Sequence, residues 1–327
     1  RSKLKMNRLE ILNNLGDYGE AEFNVSKVPL FRPNQIVDKF NQYPNMTYTP
    51  IDTNVALVRT DTNETLSIVG SKYNPVTHQE AFKTAEDVIL RSDLNLEGIE
   101  RNTAVSHEGA RAYSTWTLPE HRVTLRKDDD VALQISARNS YDGSWSFVVE
   151  VGGLRFICLN MQVFANNFAI HKSKHTKGLN LDRIASRLSD SVMFYDKETE
   201  LWRDMVDTKV TDRQAMEILA RLSGSKPAES YSKQYSDYGS VTNILYEPDV
   251  IRNKTLLRLY DFWQNNSQKL DKTAWALYNS MTEWATHGDI TKKSAIGNIA
   301  SIKVDRLEKV RKTLNNKMLP MLGLAQV

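Results

Sequence analysis

The stretch from Ala132 to Thr176 restricts the fold more than any other feature of the chain, and it is entered through a period-two strand pattern at Val131 to Ser136. Val131, Leu133 and Ile135 alternate with Ala132, Gln134 and Ser136, the pattern of a strand with one buried face. Asn139 to Gly143 supplies residues that tolerate positive φ in a tight turn, and a strand pattern resumes from Ser144 to Glu150. Gly152-Gly153 reads as a second turn and Leu154 to Leu159 as a third strand. The chain then enters a segment carrying His171, Lys172, Lys174, His175 and Lys177. The reading is an antiparallel meander that empties into a basic loop.

Upstream, Val55 to Arg59 and Leu66 to Val69 read as a hairpin across the turn-rich stretch Thr60 to Glu64. Thr77 stands three residues before Glu80 in capping-box spacing, and Phe82, Ala85, Val88 and Ile89 give the helix that follows its apolar face. Further strands are expected at Ala110 to Leu118 and His121 to Leu125. From Asn180 the period becomes helical, with stripes at Leu181, Ile184, Ala185 and Leu188 and at Ala215, Ile218, Leu219 and Leu222. Helices are also expected near Leu256 to Trp263, Lys272 to Thr286 and Ser301 to Lys317, and the stretch from Gly224 to Gly239 reads as a surface loop. Strands first and helices afterwards predict an α+β fold, an antiparallel β-rich N-terminal half packed against a helical C-terminal half. Its parts are an N-terminal extension (1–50), a sheet region (51–178) and a helical region (179–327), the last two read also as one continuous α+β domain.

The 327 residues, 40% of them hydrophobic, suffice for a substantial core. No apolar run approaches the roughly 20 residues of a membrane span, and the first residues are amphipathic and acid-bearing, so no membrane partner and a cytoplasmic location are expected. The one cysteine, Cys158, cannot form an internal disulfide and is expected, with Ile157, inside the core. The net charge is only +3, but it is unevenly spread: His171 to Arg187 holds five Lys/Arg against one Asp, and Thr291 to Lys317 holds eight against Asp305 and Glu308. Such clusters neutralise phosphates, or else form solvated surface.

No phosphate-binding Gly-rich loop, paired-cysteine motif, His-Glu-x-x-His or Gly-x-Ser-x-Gly element is present, and no cofactor is expected. Asn279, Glu283 and His287 recur every four residues and share a helix face. They fit a polar stripe hydrogen-bonded to the strand region, with no metal, or alternatively the core of a metal-dependent enzyme needing further ligands. Lys172, Lys174, His175 and Lys177, with Arg155 before them and Arg183 after, could line a groove for a phosphate backbone. Tyr141 and Trp145 of the hairpin would then offer ring faces to bases.

Four segments resemble a known family. Leu57 to Phe82 is similar to its hairpin and following helix, with Thr77-His78 where a Gln-Asn pair is usual, and Gly109 to Glu120 resembles its next strand. Asp142, Gly143, Arg155, Cys158, Asn160, Lys174, His175 and Thr176 match its central motif, and Thr273 to Gly288 resembles its C-terminal helix. The chain is on these residues similar to the phage/plasmid-like proteins grouped as domain of unknown function 932. The resemblance implies a mobile-element origin in a bacteriophage or plasmid, acting in the host bacterial cytoplasm, rather than a reaction. The leading expectation is an accessory protein of recombination, annealing or replication that binds single-stranded DNA. The alternative is a protein-interaction module, a host-takeover or anti-defence factor contacting a host or phage protein through the Tyr-rich stretch at 231–238. A homo-oligomer is compatible with either.

Overall fold

The computed structural model describes residues 8–34, 47–155, 160–163, 169–173, 181–224, 252–288 and 298–324. After helix α1 (Arg8–Asn13), strands β1 (Val25–Pro33), β2 (Tyr48–Arg59) and β3 (Thr65–Gly70) form an antiparallel sheet in that order. The expected hairpin is its β2–β3 pair, in which Val55 faces Val69. Helix α2 (His78–Arg91) starts at the Thr77–Glu80 capping box, Thr77 accepting from the Glu80 backbone while the Glu80 carboxylate accepts from Thr77.

A larger antiparallel sheet follows: β4 (Glu100–Ser106), β5 (Arg111–Arg126), β6 (Asp129–Ser140), β7 (Phe147–Arg155), β8 (Asn160–Val163) and β9 (Ala169–Ser173). The strands expected at Ala110 to Leu118 and His121 to Leu125 are one strand, irregular between Leu118 and Arg122. Gly152-Gly153 is not a turn. Both lie inside β7, opposite Gln134 and Leu133 of β6. Tight turns and close approaches of another element both use glycine, and here Gly152 borders a small gap beside Leu307 and Arg311 of a covering helix. Nor is the chain after Asn160 wholly loop: β8 pairs with the second half of β7 and β9 with the first. Cys158 and Ile157 lie outside the described residues.

The C-terminal half is helical: α3 (Leu181–Asp207), α4 (Asp212–Ser223), α5 (Lys254–Leu270), α6 (Ala274–His287), α7 (Ile299–Thr313), a wider turn at Leu314–Met318 and α8 (Leu319–Leu322). Antiparallel sheets followed mainly by helices make this an α+β fold. Helix α6 is buried almost all round, as its apolar composition requires. The register sorts the larger sheet into two faces. Trp116, Ile135 and Val151 lie in one cross-strand row, Leu118 and Leu133 in the next, and all are buried in the main core with Phe82, Val88 and Ile89 of α2 and Trp202 of α3. Each such side chain contributes on the order of 1.5–3 kcal/mol. The other face carries Tyr113, Thr115, Thr117, Gln134, Ser136 and Glu150, below α7.

The N-terminal residues are part of this body. The Arg8 guanidinium donates to the carbonyls of Ile89 (2.8 Å) and Leu90 (3.2 Å), capping α2. Glu86 on α2 accepts from Tyr18 (2.8 Å), Arg101 (2.9 Å) and Trp116 (3.1 Å), joining that segment to β4 and β5.

Candidate nucleic-acid interface

The β4–β5 and β6–β7 connections come together at one end of the larger sheet, where the smaller sheet packs. His107, Glu108 and Gly109 have consecutive φ values of 53°, 58° and 96°, a left-handed run that strains the first two and suits the glycine. The run turns its carbonyls toward donors on neighbouring elements. The Gly109 carbonyl accepts from His78 Nε2 (2.8 Å) and the Glu108 carbonyl from Arg59 (2.9 Å). Because a carbonyl can only accept, His78 carries its proton on Nε2. Its Nδ1 therefore accepts from the Asn139 amide (3.0 Å), which also donates to the Val76 carbonyl (3.1 Å). His78 is fully buried, and its role is not legible in the sequence, which marks it only as half of the Thr77-His78 pair, since its partners lie 31 and 61 residues away.

Tyr141 belongs to this hub. It is fully buried in a second apolar cluster with Phe23 and Leu57, its ring 4.3 Å from that of His78, and its hydroxyl accepts from the His78 backbone (3.1 Å). Burial pushes that hydroxyl's pKa well above the usual tyrosine range. Trp145 is 9% exposed, its backbone nitrogen donating to Ser140 and its ring close to Arg111. The expectation that these two rings present faces to bases is therefore corrected: both are engaged in packing the junction between the sheets. Asp142, at the hairpin tip, accepts from Arg111 (2.7 Å) and from the Ser144 backbone (2.9 Å). Burial alone would raise its pKa, but the Ser144 and Arg111 hydrogen bonds outweigh it and hold the carboxyl below its ordinary value.

Arg155 is corrected as well. It is 3% exposed and paired with Asp129, itself 2% exposed, whose Oδ2 accepts from Arg155 Nη2 (2.8 Å) and from the Trp275 indole (2.9 Å). The pair ties β6 and β7 to α6, out of reach of any phosphate. The polar stripe is more varied than expected. Asn279 is fully buried and donates to the Trp275 carbonyl (2.8 Å), Glu283 accepts from Asn266 of α5 (2.7 Å), and His287 is exposed. Glu283 is thus tied to a neighbouring helix, and among the described residues no group of three or more His, Cys, Asp or Glu is placed to hold a metal.

Of the basic segment, Lys172 lies on β9 in register with Val148 and Arg183 lies in the first turn of α3. Lys174, His175 and Lys177 lie outside the described residues. Arg187, one turn beyond Arg183, is exposed. In the second cluster, near the C-terminus, three cations are engaged within the fold. Arg306 donates to the carbonyls of Trp284 and Gly288 at the end of α6, Arg311 reaches Glu308 (2.8 Å) and Glu150 (3.4 Å), and Lys317 pairs with Glu217 (2.5 Å).

No curated protein and no solved structure matches the chain. A family model described as "Domain of unknown function (DUF932)" matches residues 65–310, the span that holds His78, Gly109, Asn139 and Tyr141, the whole larger sheet and most of the helical half. The match covers three quarters of the sequence, and the chain belongs to that family.

Proposed function

We propose that the chain is a phage- or plasmid-encoded accessory protein that binds nucleic acid, single-stranded DNA first, through the basic segment from Lys172 to Arg187, as annealing or a recombination or replication role requires. One contrast carries the reading. Near the C-terminus Arg306, Arg311 and Lys317 are paired within the fold, whereas the five cations from Lys172 to Arg187 face one Asp in sequence, and Arg187 on α3 is exposed. Phosphate contacts from clustered lysine and arginine need neither nucleotide nor metal. Because Tyr141, Trp145 and Arg155 are interior, the contact is mainly to the backbone and tolerant of base sequence.

The experiment is fluorescence polarisation with a labelled single-stranded oligonucleotide over a salt series. The expected result is salt-dependent binding with a shallower log–log slope in the Lys172/Lys174/Lys177 triple alanine variant. The slope should fall by about 0.7 for each phosphate that the variant no longer neutralises. Equal affinity and equal slope for the variant and the parent would reject the reading.

A second reading, a protein-interaction module, is favoured by a different observation. Val28, Phe31, Tyr48 and Ile68 on the smaller sheet are 40%, 55%, 58% and 63% exposed, and apolar side chains gathered on one exposed sheet are the kind of surface a protein partner covers. The Tyr-rich stretch at 231–238 lies outside the described residues.

A further inference from the structure

We propose that the cavity between the polar face of the larger sheet and the α6–α7 junction binds a small organic anion that also carries an N–H or O–H donor, the chemistry of a mononucleotide. The site is separate from the basic segment, and the proposal does not rest on the function given above. A sheet face roofed by a helix is ordinarily apolar. Here the face encloses about 320 Å³, and Thr115, Thr117 and Gln134 in its floor are 4%, 6% and 5% exposed.

The floor is incompletely paired. Gln134 Nε2 donates to Thr117 Oγ1 (3.1 Å), which leaves Gln134 Oε1 without a protein donor and the Thr117 hydroxyl hydrogen without a protein acceptor among the described residues. Burial pushes the neighbouring Tyr113 hydroxyl up to about 12, so it stays protonated. Across from them stands Lys303 of α7, half-buried and with neither a carboxylate nor a hydrogen-bond partner among the described residues. His287 adds a second nitrogen base at the rim, and Glu100, the one acid in the lining, is exposed.

Water would satisfy Gln134 and Thr117, whereas an anion would also give the Lys303 ammonium the opposite charge that water lacks. The anion belongs at Lys303, and the donor at the far end belongs on Gln134 Oε1, which can only accept. A cavity near 300 Å³ is at the lower end of small-molecule sites, larger than one inorganic ion requires. A phosphomonoester with a heterocycle bearing an amino or imino N–H fits both ends.

The test is isothermal titration of the full chain with the four ribonucleoside 5′-monophosphates, the four nucleosides and inorganic phosphate. At least one monophosphate is expected to bind with 1:1 stoichiometry and more tightly than its nucleoside or phosphate. Lys303→Met should weaken that binding about tenfold or more, the effect of removing one charge-assisted hydrogen bond, and Gln134→Leu should weaken it while narrowing the preference among bases. Because either variant could misfold, a second measurement uses the unmodified protein: the bound monophosphate should protect Lys303 from an amine-acylating reagent, read by peptide mass spectrometry. No saturable binding of any monophosphate, affinity unchanged in both variants, or no protection of Lys303 would each overturn the proposal.

Discussion

The two faces of the larger sheet are built from the same strands, residue by residue in alternation, yet they do opposite things. On one, Trp116, Leu118, Leu133, Ile135 and Val151 meet α2 and α3 with no more than 3% of any side chain exposed. On the other, Thr115, Thr117 and Gln134 are nearly as buried but surround a cavity, and the roofing helix touches them through a gap. The first face stabilises by excluding water and the second preserves polar groups at the expense of packing, so the fold's stability and its ligand chemistry are carried on opposite sides of one sheet.

The largest expected effect tests what joins the sheet to the helices. Arg155→Ala leaves Asp129 charged and buried with only the Trp275 indole and should cost about 3–5 kcal/mol in urea denaturation, since breaking one partner of a buried pair strands the other. A loss near zero would mean that Asp129 is solvated and that the pair is no structural clamp. Next come the faces themselves. Leu133→Ala should cost about 2–5 kcal/mol, and Thr115→Val, which gives up one 3.4 Å hydrogen bond to the Asn102 carbonyl while keeping its shape, less than about 1 kcal/mol. Equal losses would erase the distinction between packed face and cavity face.

The smallest effect is a pH dependence at the hub. The folded pKa of Asp142 is depressed, so this carboxylate contributes stability above its unfolded pKa and loses it as the pH falls through the folded value. Asp142→Asn should therefore lower stability at pH 7 and flatten its decline below about pH 4, the ordinary aspartate pKa. Parallel acid-denaturation profiles for the two proteins would place the pH sensitivity elsewhere.

Much of this was legible in the chain. The Thr77–Glu80 capping box is formed, the stripe Ala215, Ile218, Leu219 and Leu222 is buried as read, and α6 ends at Gly288. These are local signals, carried by residues within a turn or two of one another. The two glycines of β7 were misread because the strand continues through them, and the helix beside Gly152 comes from the far end of the chain. The cavity residues carried no signal of a site: Gln134 read as the polar face of an alternating strand, Thr117 only as part of a strand, and Lys303 as one cation in a basic run.

The sequence by itself determined the α+β class, the order of strands before helices, the hairpin turn between β6 and β7 and the family. Only the tertiary structure decided which aromatic and cationic side chains are available to a partner. Tyr141, Trp145 and Arg155 have the chemistry of a nucleic-acid surface, but each pairs with a group brought from far along the chain: His78 for Tyr141, Arg111 for Trp145, and Asp129 with Trp275 for Arg155. The physical reason is that periodicity fixes which residues share a face, while the exposure of that face depends on what packs against it. An amphipathic side chain is stable inside or outside according to whether its polar atom finds a partner there, and that partner is a property of the fold, not of the spacing.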